Sequence, residues 1–195
     1  MTQAIQQSLR DKAWARWTVL ILIALTMFFA YMFVDVLSPL KSMLEKTAEE
    51  GGLGWSSTVF GTYGSSEFFL NVFFFFLIFA GIILDKMGVR FTAVLSGALM
   101  VLGALIKVYA LSTTFNNGGF GFELFNSFMP SMPPSAKLAC VGFMIFGCGC
   151  EMGGVTVSRA IVKWFEGKEM ALAMGLEMAV ARLGVFAVFR MSAPI

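Results

Sequence analysis

The sequence predicts an all-α integral membrane protein, and three observations carry that reading. Hydrophobic residues make up 58% of the 195 and charged residues only 13%, where a soluble domain carries about a quarter charged. Mean hydropathy is +0.81. The apolar residues gather into five runs of about 20 residues, each long enough to cross roughly 30 Å of hydrocarbon. Hydrocarbon offers backbone N–H and C=O groups no partner, so such runs must cross as helices. No polar segment between them is long enough to hide a catalytic domain.

Residues 1–17 are a polar N-terminal segment with Arg10, Lys12 and Arg16 against Asp11. The apolar run behind it is too long for a signal-peptide core, and no small-residue cleavage site follows. The first span is 18–36, and Asp35 falls at its outer interface, about 26 Å along the helix. A polar loop with Pro39, Glu49, Glu50 and Gly51 leads to the second span, 58–84. That span opens with Gly61, Gly64 and Ser65, a small face suited to helix packing, and closes with the aromatic block Phe73 to Phe76. Glu67 lies near the outer boundary, at a pathway mouth or as an interface anchor.

The third span, 91–111, carries Gly97 and Gly103 for close packing. Lys107 is placed to snorkel to the outer interface. Ser112 to Ala136 is a Gly-, Asn-, Ser- and Pro-rich loop with a short turn expected around Phe122 to Phe128. The fourth span, 138–162, contains the small-residue run Gly147 to Gly154. Lys163 to Lys168 form a charged turn with Trp164 and Phe165 as interface anchors, and the fifth span is 169–189. Arg10, Lys12, Arg16, Lys86, Arg90, Arg159, Lys163 and Lys168 fall on one side, and Lys41, Lys46 and Lys137 on the other. This imbalance puts the N-terminus in the cytoplasm.

Between the second and third spans lies GIILDKMGVR, Gly81 to Arg90. Asp85, Lys86 and Arg90 exclude hydrocarbon, so this is an aqueous turn. Gly88 lets the chain reverse, and Gly81 lets the second span approach a neighbour. The pattern G-x-x-x-D-K-x-G-x-R resembles the signature loop between helices two and three of the major facilitator superfamily of transporters. The resemblance implies the major facilitator fold, with 18–192 as the first five helices of an N-terminal six-helix bundle and the second bundle absent. It also implies that Asp85, Lys86 and Arg90 act as a conformational-switch loop across the bundle interface.

Glu151, Glu177 and Arg182 are the ionisable groups deepest in the spans. Each costs about 2.5–3.5 kcal/mol or more at the bilayer centre, so each needs a partner or an aqueous cavity. By helical rise Glu151 lies about 18 Å from the inner boundary and Arg182 about 21 Å, similar depths on consecutive helices. They either pair with each other or face one cavity and hold the opposite charges of a solute. Glu177, about 14 Å up and about 140° around the helix from Arg182, faces a different neighbour.

The run Phe146 to Gly184 is similar to the domain-containing protein 1 branch of the superfamily, lysosomal dipeptide transporters of animals. The shared features are the Gly-rich turn before Glu151, the turn Trp164 to Glu169, Ala171, Gly175, and Ala181 to Gly184. The resemblance implies that Glu151 holds a dipeptide ammonium and Arg182 its carboxylate. Phe143 stands where many members carry Arg.

The sequence therefore reads as part of a transporter for a small organic solute, dipeptides included, working by alternating access between two bundles. As a fragment it would not transport alone. The alternative is a non-transporting receptor or assembly subunit with the same fold. An enzyme is not expected, since there is no histidine, cofactor motif or nucleophile beside a base. Cys140, Cys148 and Cys150 read as buried packing thiols, not metal ligands. No cofactor, metal or nucleic acid is implied, and the sequence names no protein partner. Partners are the solute, the bilayer and the second bundle. With no targeting segment in view, a bacterial-type plasma membrane is expected, with the lysosomal membrane as the alternative.

Overall fold

The computed structural model describes residues 9–191, and among these every regular element is helical. Residues 1–8 of the predicted N-terminal segment and residues 192–195, the first of which ends the predicted bundle, lie outside the described residues. Six helices carry the fold: α1 (Ala13–Val34), α2 (Ser57–Ser66), α3 (Phe69–Phe73), α4 (Phe76–Leu111), α5 (Pro134–Phe165) and α6 (Met170–Met191). The stretches containing α1, α4, α5 and α6 are each long and apolar enough to cross a membrane. The chain is an all-α membrane protein.

At 36 residues, α4 would extend about 54 Å, nearly twice the hydrocarbon thickness. It is two legs joined at Gly88, whose φ of +80° and ψ of 169° leave the helical region. The contacts along α5 show the reversal. Before Gly88 they advance: Tyr63 stacks on Phe143 with 4.6 Å between centroids, Glu67 lies on Gly147, and Asp85 pairs with Arg159 at 3.8 Å. After Gly88 they retreat. Ser96 donates its hydroxyl hydrogen to the Gly149 carbonyl at 2.8 Å, Gly103 packs on Gly142 and Phe146, and Lys107 lies over Phe143. Only a glycine takes this positive φ without strain.

The expected continuous helix over 58–84 is instead α2, α3 and the first leg of α4. It is interrupted at Glu67 and Phe68 and again at Phe74 and Phe75, where Phe75 has φ 51°. Aromatic side chains crowd the preceding helical turn and lower helix propensity, and here several stand in sequence. The backbone stays bonded across the second break, Phe74 N–H to the Leu70 carbonyl and Ile78 N–H to the Phe75 carbonyl. The helix also runs on through Asp85 and Lys86 to Met87, so the expected loop contracts to one residue.

α5 is the central helix: 61% of its most apolar window is buried, against 22–28% for the others. Its small residues admit three neighbours, Gly147 facing Glu67, Gly149 facing Ser96 and Met100, and Gly153 facing Ser96 and Met27. α1 and α6 run parallel, with Gly184 on the Phe28 carbonyl and Arg182 over Tyr31. By contrast, a Cβ at Gly61, Gly64, Gly81 or Gly97 would meet open space. These glycines make none of the expected close approaches among the described residues. Packing instead uses the offset face of Val59, Tyr63 and Ser66.

One core cluster gathers Trp55, Tyr63, Phe143 and Phe146 at the loop end, and Trp55 donates its indole N–H to Ser135 at 3.0 Å. The other surrounds Phe165, which is fully buried and meets Trp17 edge-on at 5.6 Å. Phe165 is therefore a core residue and not the expected interface anchor. It turns inward because α1 and α6 close over the α5 terminus.

Gly103→Ala would place a methyl 2.5 Å from the Gly142 oxygen and the Phe146 nitrogen, and destabilises by about 1–3 kcal/mol. Gly97→Ala is neutral or stabilises by up to about 1 kcal/mol through helix propensity. Thermal unfolding of both variants in detergent checks this contrast in sign.

Candidate functional site

Three of these helices, α1, α5 and α6, and the turn after α2 meet around a cavity of about 590 Å³ lined by Tyr31, Asp35, Glu67, Cys150, Glu151 and Arg182, with apolar side chains such as Val34 and Val185 beside them. Each polar group arrives by a separate piece of local structure. Asp35 caps α1: its N–H bonds the Tyr31 carbonyl, and its carboxylate accepts from Ser38 at 3.2 Å. Glu67 is brought in by the break after α2 and seats against Gly147, where any side chain on α5 would block it. Glu151 and Cys150 come from the small-residue run of α5. Arg182 rises from α6, and its guanidinium carbon stands 5.1 Å from the centre of the Tyr31 ring. That ring is a platform that orients the planar fork.

Of the predicted site residues, the structure brings Glu151 and Arg182 into this cavity. Among the described residues no ion pair joins them. Glu177 is absent from the lining and is buried at 8% exposure within α6. Tyr31 lies within electrostatic range of Glu151, Glu177 and Arg182, and Glu67 within range of Asp35, Lys107 and Glu151. Tyr31, Asp35 and Glu67 were not expected as a group. The only signal for Glu67 was a carboxylate inside an apolar run.

Lys107 does not snorkel to the interface. It is 3% exposed, donates to the Phe33 carbonyl at 3.1 Å, and lies 4.5 and 4.4 Å from the ring centres of Phe143 and Phe146. Each desolvated cation–π contact offers about 2 kcal/mol, enough in sum to offset a burial cost of about 3 kcal/mol. The cysteines are all buried and free. Among the described residues no His, Cys, Asp and Glu grouping could hold a metal ion.

The Gly81 to Arg90 hinge lies at the opposite end of α5. Asp85, Lys86 and Arg90 are exposed, and Asp85 and Arg159 sit on the wall of a second cavity of about 470 Å³ with Lys163 and Glu166. The same end is tied to the N-terminal segment. Lys168 pairs with Asp11 at 2.7 Å, Arg16 with Glu169 at 3.5 Å, and Arg10 with Glu166 at 3.7 Å. The hydrogen bond and charge of Lys168 hold the Asp11 carboxyl below its ordinary 3.8.

No family model and no solved structure matches the chain. Curated proteins do. The lysosomal dipeptide transporter MFSD1 of Bos taurus is 31% identical over 107 residues, 54% of this chain and 19% of that protein. The protein of the same name from Danio rerio is 32% identical over 115 residues, 58% of this chain and 20% of its own length. That from Gallus gallus is 46% identical over 44 residues, 23% and 10% of the two chains.

These matches support a relationship to the major facilitator transporters. The aligned part spans about a fifth of the length of the bovine and zebrafish relatives. At this level the relatives are named as transporters, in keeping with the apolar spans.

Because the folded-state value of Asp11 is depressed, its contribution is present above the ordinary 3.8 and is lost as pH falls through the lower folded value. Stability measured against pH should therefore show an acid-side decline below that point. Asp11→Asn reduces this decline, and an unchanged slope in the variant shows that Lys168 does not bind Asp11 in solution.

Proposed function

We propose that the chain forms part of a secondary transporter that carries a small zwitterionic solute, with dipeptides the favoured class, by alternating access. The observation that carries this reading is the placement of Glu151 and Arg182 on one cavity without an ion pair between them. Opposite charges that share a cavity but do not neutralise each other suit the two termini of a dipeptide. Arg182 offers a bidentate fork to the carboxylate, and Glu151 accepts from the ammonium. A volume of about 590 Å³ is within the range of small-molecule sites.

The names of the relatives support the class of solute. The lining adds a preference. Asp35, Glu67 and Glu151 face one guanidinium, an acidic excess that favours a dipeptide with an added basic side chain over one with an acidic side chain. In this scheme the end bearing Lys86, Arg90, Arg159, Lys163 and Lys168 faces the cytoplasm. Glu177 is buried on α6 outside the lining and is assigned no contact with the solute. Asp85, Lys86, Gly88 and Arg90 form a switch loop, with the Asp85–Arg159 pair broken and remade between states. Gly81 has no defined contact in this arrangement.

Thermal stabilisation of the intact protein in detergent tests the reading. Lysylalanine is expected to raise the unfolding midpoint more than glutamylalanine does. Glu151→Gln and Arg182→Gln should each weaken binding by about 1.5–3 kcal/mol, the worth of a hydrogen bond to a charged group. The absence of any shift across a broad dipeptide set removes this substrate class.

A further inference from the structure

Lys107 has no place among the cavity-lining residues, yet it grips both walls of that cavity. Its ammonium reaches the Phe33 carbonyl in the last turn of α1 at 3.1 Å and the faces of Phe143 and Phe146 on α5 at 4.5 and 4.4 Å. The Gly103–Gly142 contact makes this reach possible, since Lys107 follows Gly103 by one turn on the same helical face.

The last turn of a helix leaves its carbonyls without following N–H groups. Here Asp35 N–H closes on the Tyr31 carbonyl, and Lys107 takes that of Phe33. Tyr31 and Asp35, which flank the pinned residue, both line the cavity. On α5, Phe146 precedes Cys150 by one turn, and Cys150 and Glu151 form the facing wall.

We propose that Lys107 is a positioning residue. It holds the end of α1 against α5, sets the separation of Tyr31 and Asp35 from Glu151, and does not itself touch the solute. The proposal rests on the reading of this cavity as the solute site, because positioning matters only if something binds there. Its structural part can be tested without a solute.

The test uses the intact protein in detergent with Lys107→Met and Lys107→Arg, and two readouts. One is the rate at which 2-aminoethyl methanethiosulfonate modifies Cys150, followed by peptide mass, with the buried Cys148 as internal control. The other is the Kd of lysylalanine. In folded K107M the Cys150 rate should change by about threefold or more with Cys148 unchanged, and the Kd should rise about tenfold, the low end of what loss of an outer supporting residue costs. K107R, which keeps the charge, a donor and the cation–π contact, should stay closer to the wild type than K107M on both readouts.

An unchanged Cys150 rate in folded K107M overturns the proposal, as does a parallel rise at Cys148, which would mean general loosening. If K107M does not fold, Lys107→Gln carries the test with the same readouts. Failure of the wild type to bind lysylalanine counts against the dipeptide reading alone, and the Cys150 rate still decides the role of Lys107.

Discussion

Backbone contact between the returning leg of α4 and α5, where Gly103 lies on Gly142 and Ser96 bonds the Gly149 carbonyl, fixes the register of the bundle. No side chain separates the two helices at Gly103 and Gly142, and only the Ser96 hydroxyl bridges them at Gly149, so they cannot slide without a clash. That register brings Lys107 level with Phe143 and Phe146. It also leaves Gly147 free to receive Glu67. The polar cavity is thus a consequence of where small residues fall on α5.

Charge is distributed along the bundle in two different ways. At the end containing Gly88 the pair Asp85–Arg159 is exposed and Arg10–Glu166 largely so, with Arg16 the buried exception. Such pairs contribute little each, about 1 kcal/mol or less, and exchange partners readily. Deeper in, Glu67 and Lys107 are nearly inaccessible, while Glu151 is half-buried. There a change of partner has a large energetic effect, because hydrocarbon and aromatic surfaces replace water. An exposed end that re-pairs at low cost and an interior that responds strongly to a bound charge are the two properties on which the proposed alternating access relies.

Much of this was legible in the sequence wherever a single physical quantity decides. Helical rise is fixed at about 1.5 Å per residue, so the shared depth of Glu151 and Arg182 could be read off by counting. Asp85 and Lys86 cannot enter hydrocarbon, so the reversal near Gly88 was equally plain. Rotation about a helix axis is another matter, because it depends on which neighbour packs against which face. That is why Lys107 was expected at the interface and Gly81 and Gly97 in close contacts. The same limit left Glu67 open between a pathway mouth and an interface anchor, and it enters the cavity because the chain breaks beside it. The left-handed Phe75 had no sequence signal, since hydropathy does not report φ.

Glu151 and Arg182 line one cavity, and in the proposed function they serve a solute and not each other. The charge-swapped double variant Glu151→Arg with Arg182→Glu measures this most directly. That variant is expected to fold but to lose dipeptide-induced thermal stabilisation, because the swapped charges no longer match the positions of Tyr31, Asp35 and Glu67 around them. Restoration of dipeptide stabilisation in the double variant, with loss in either single one, would contradict it and make the two residues a mutual ion pair.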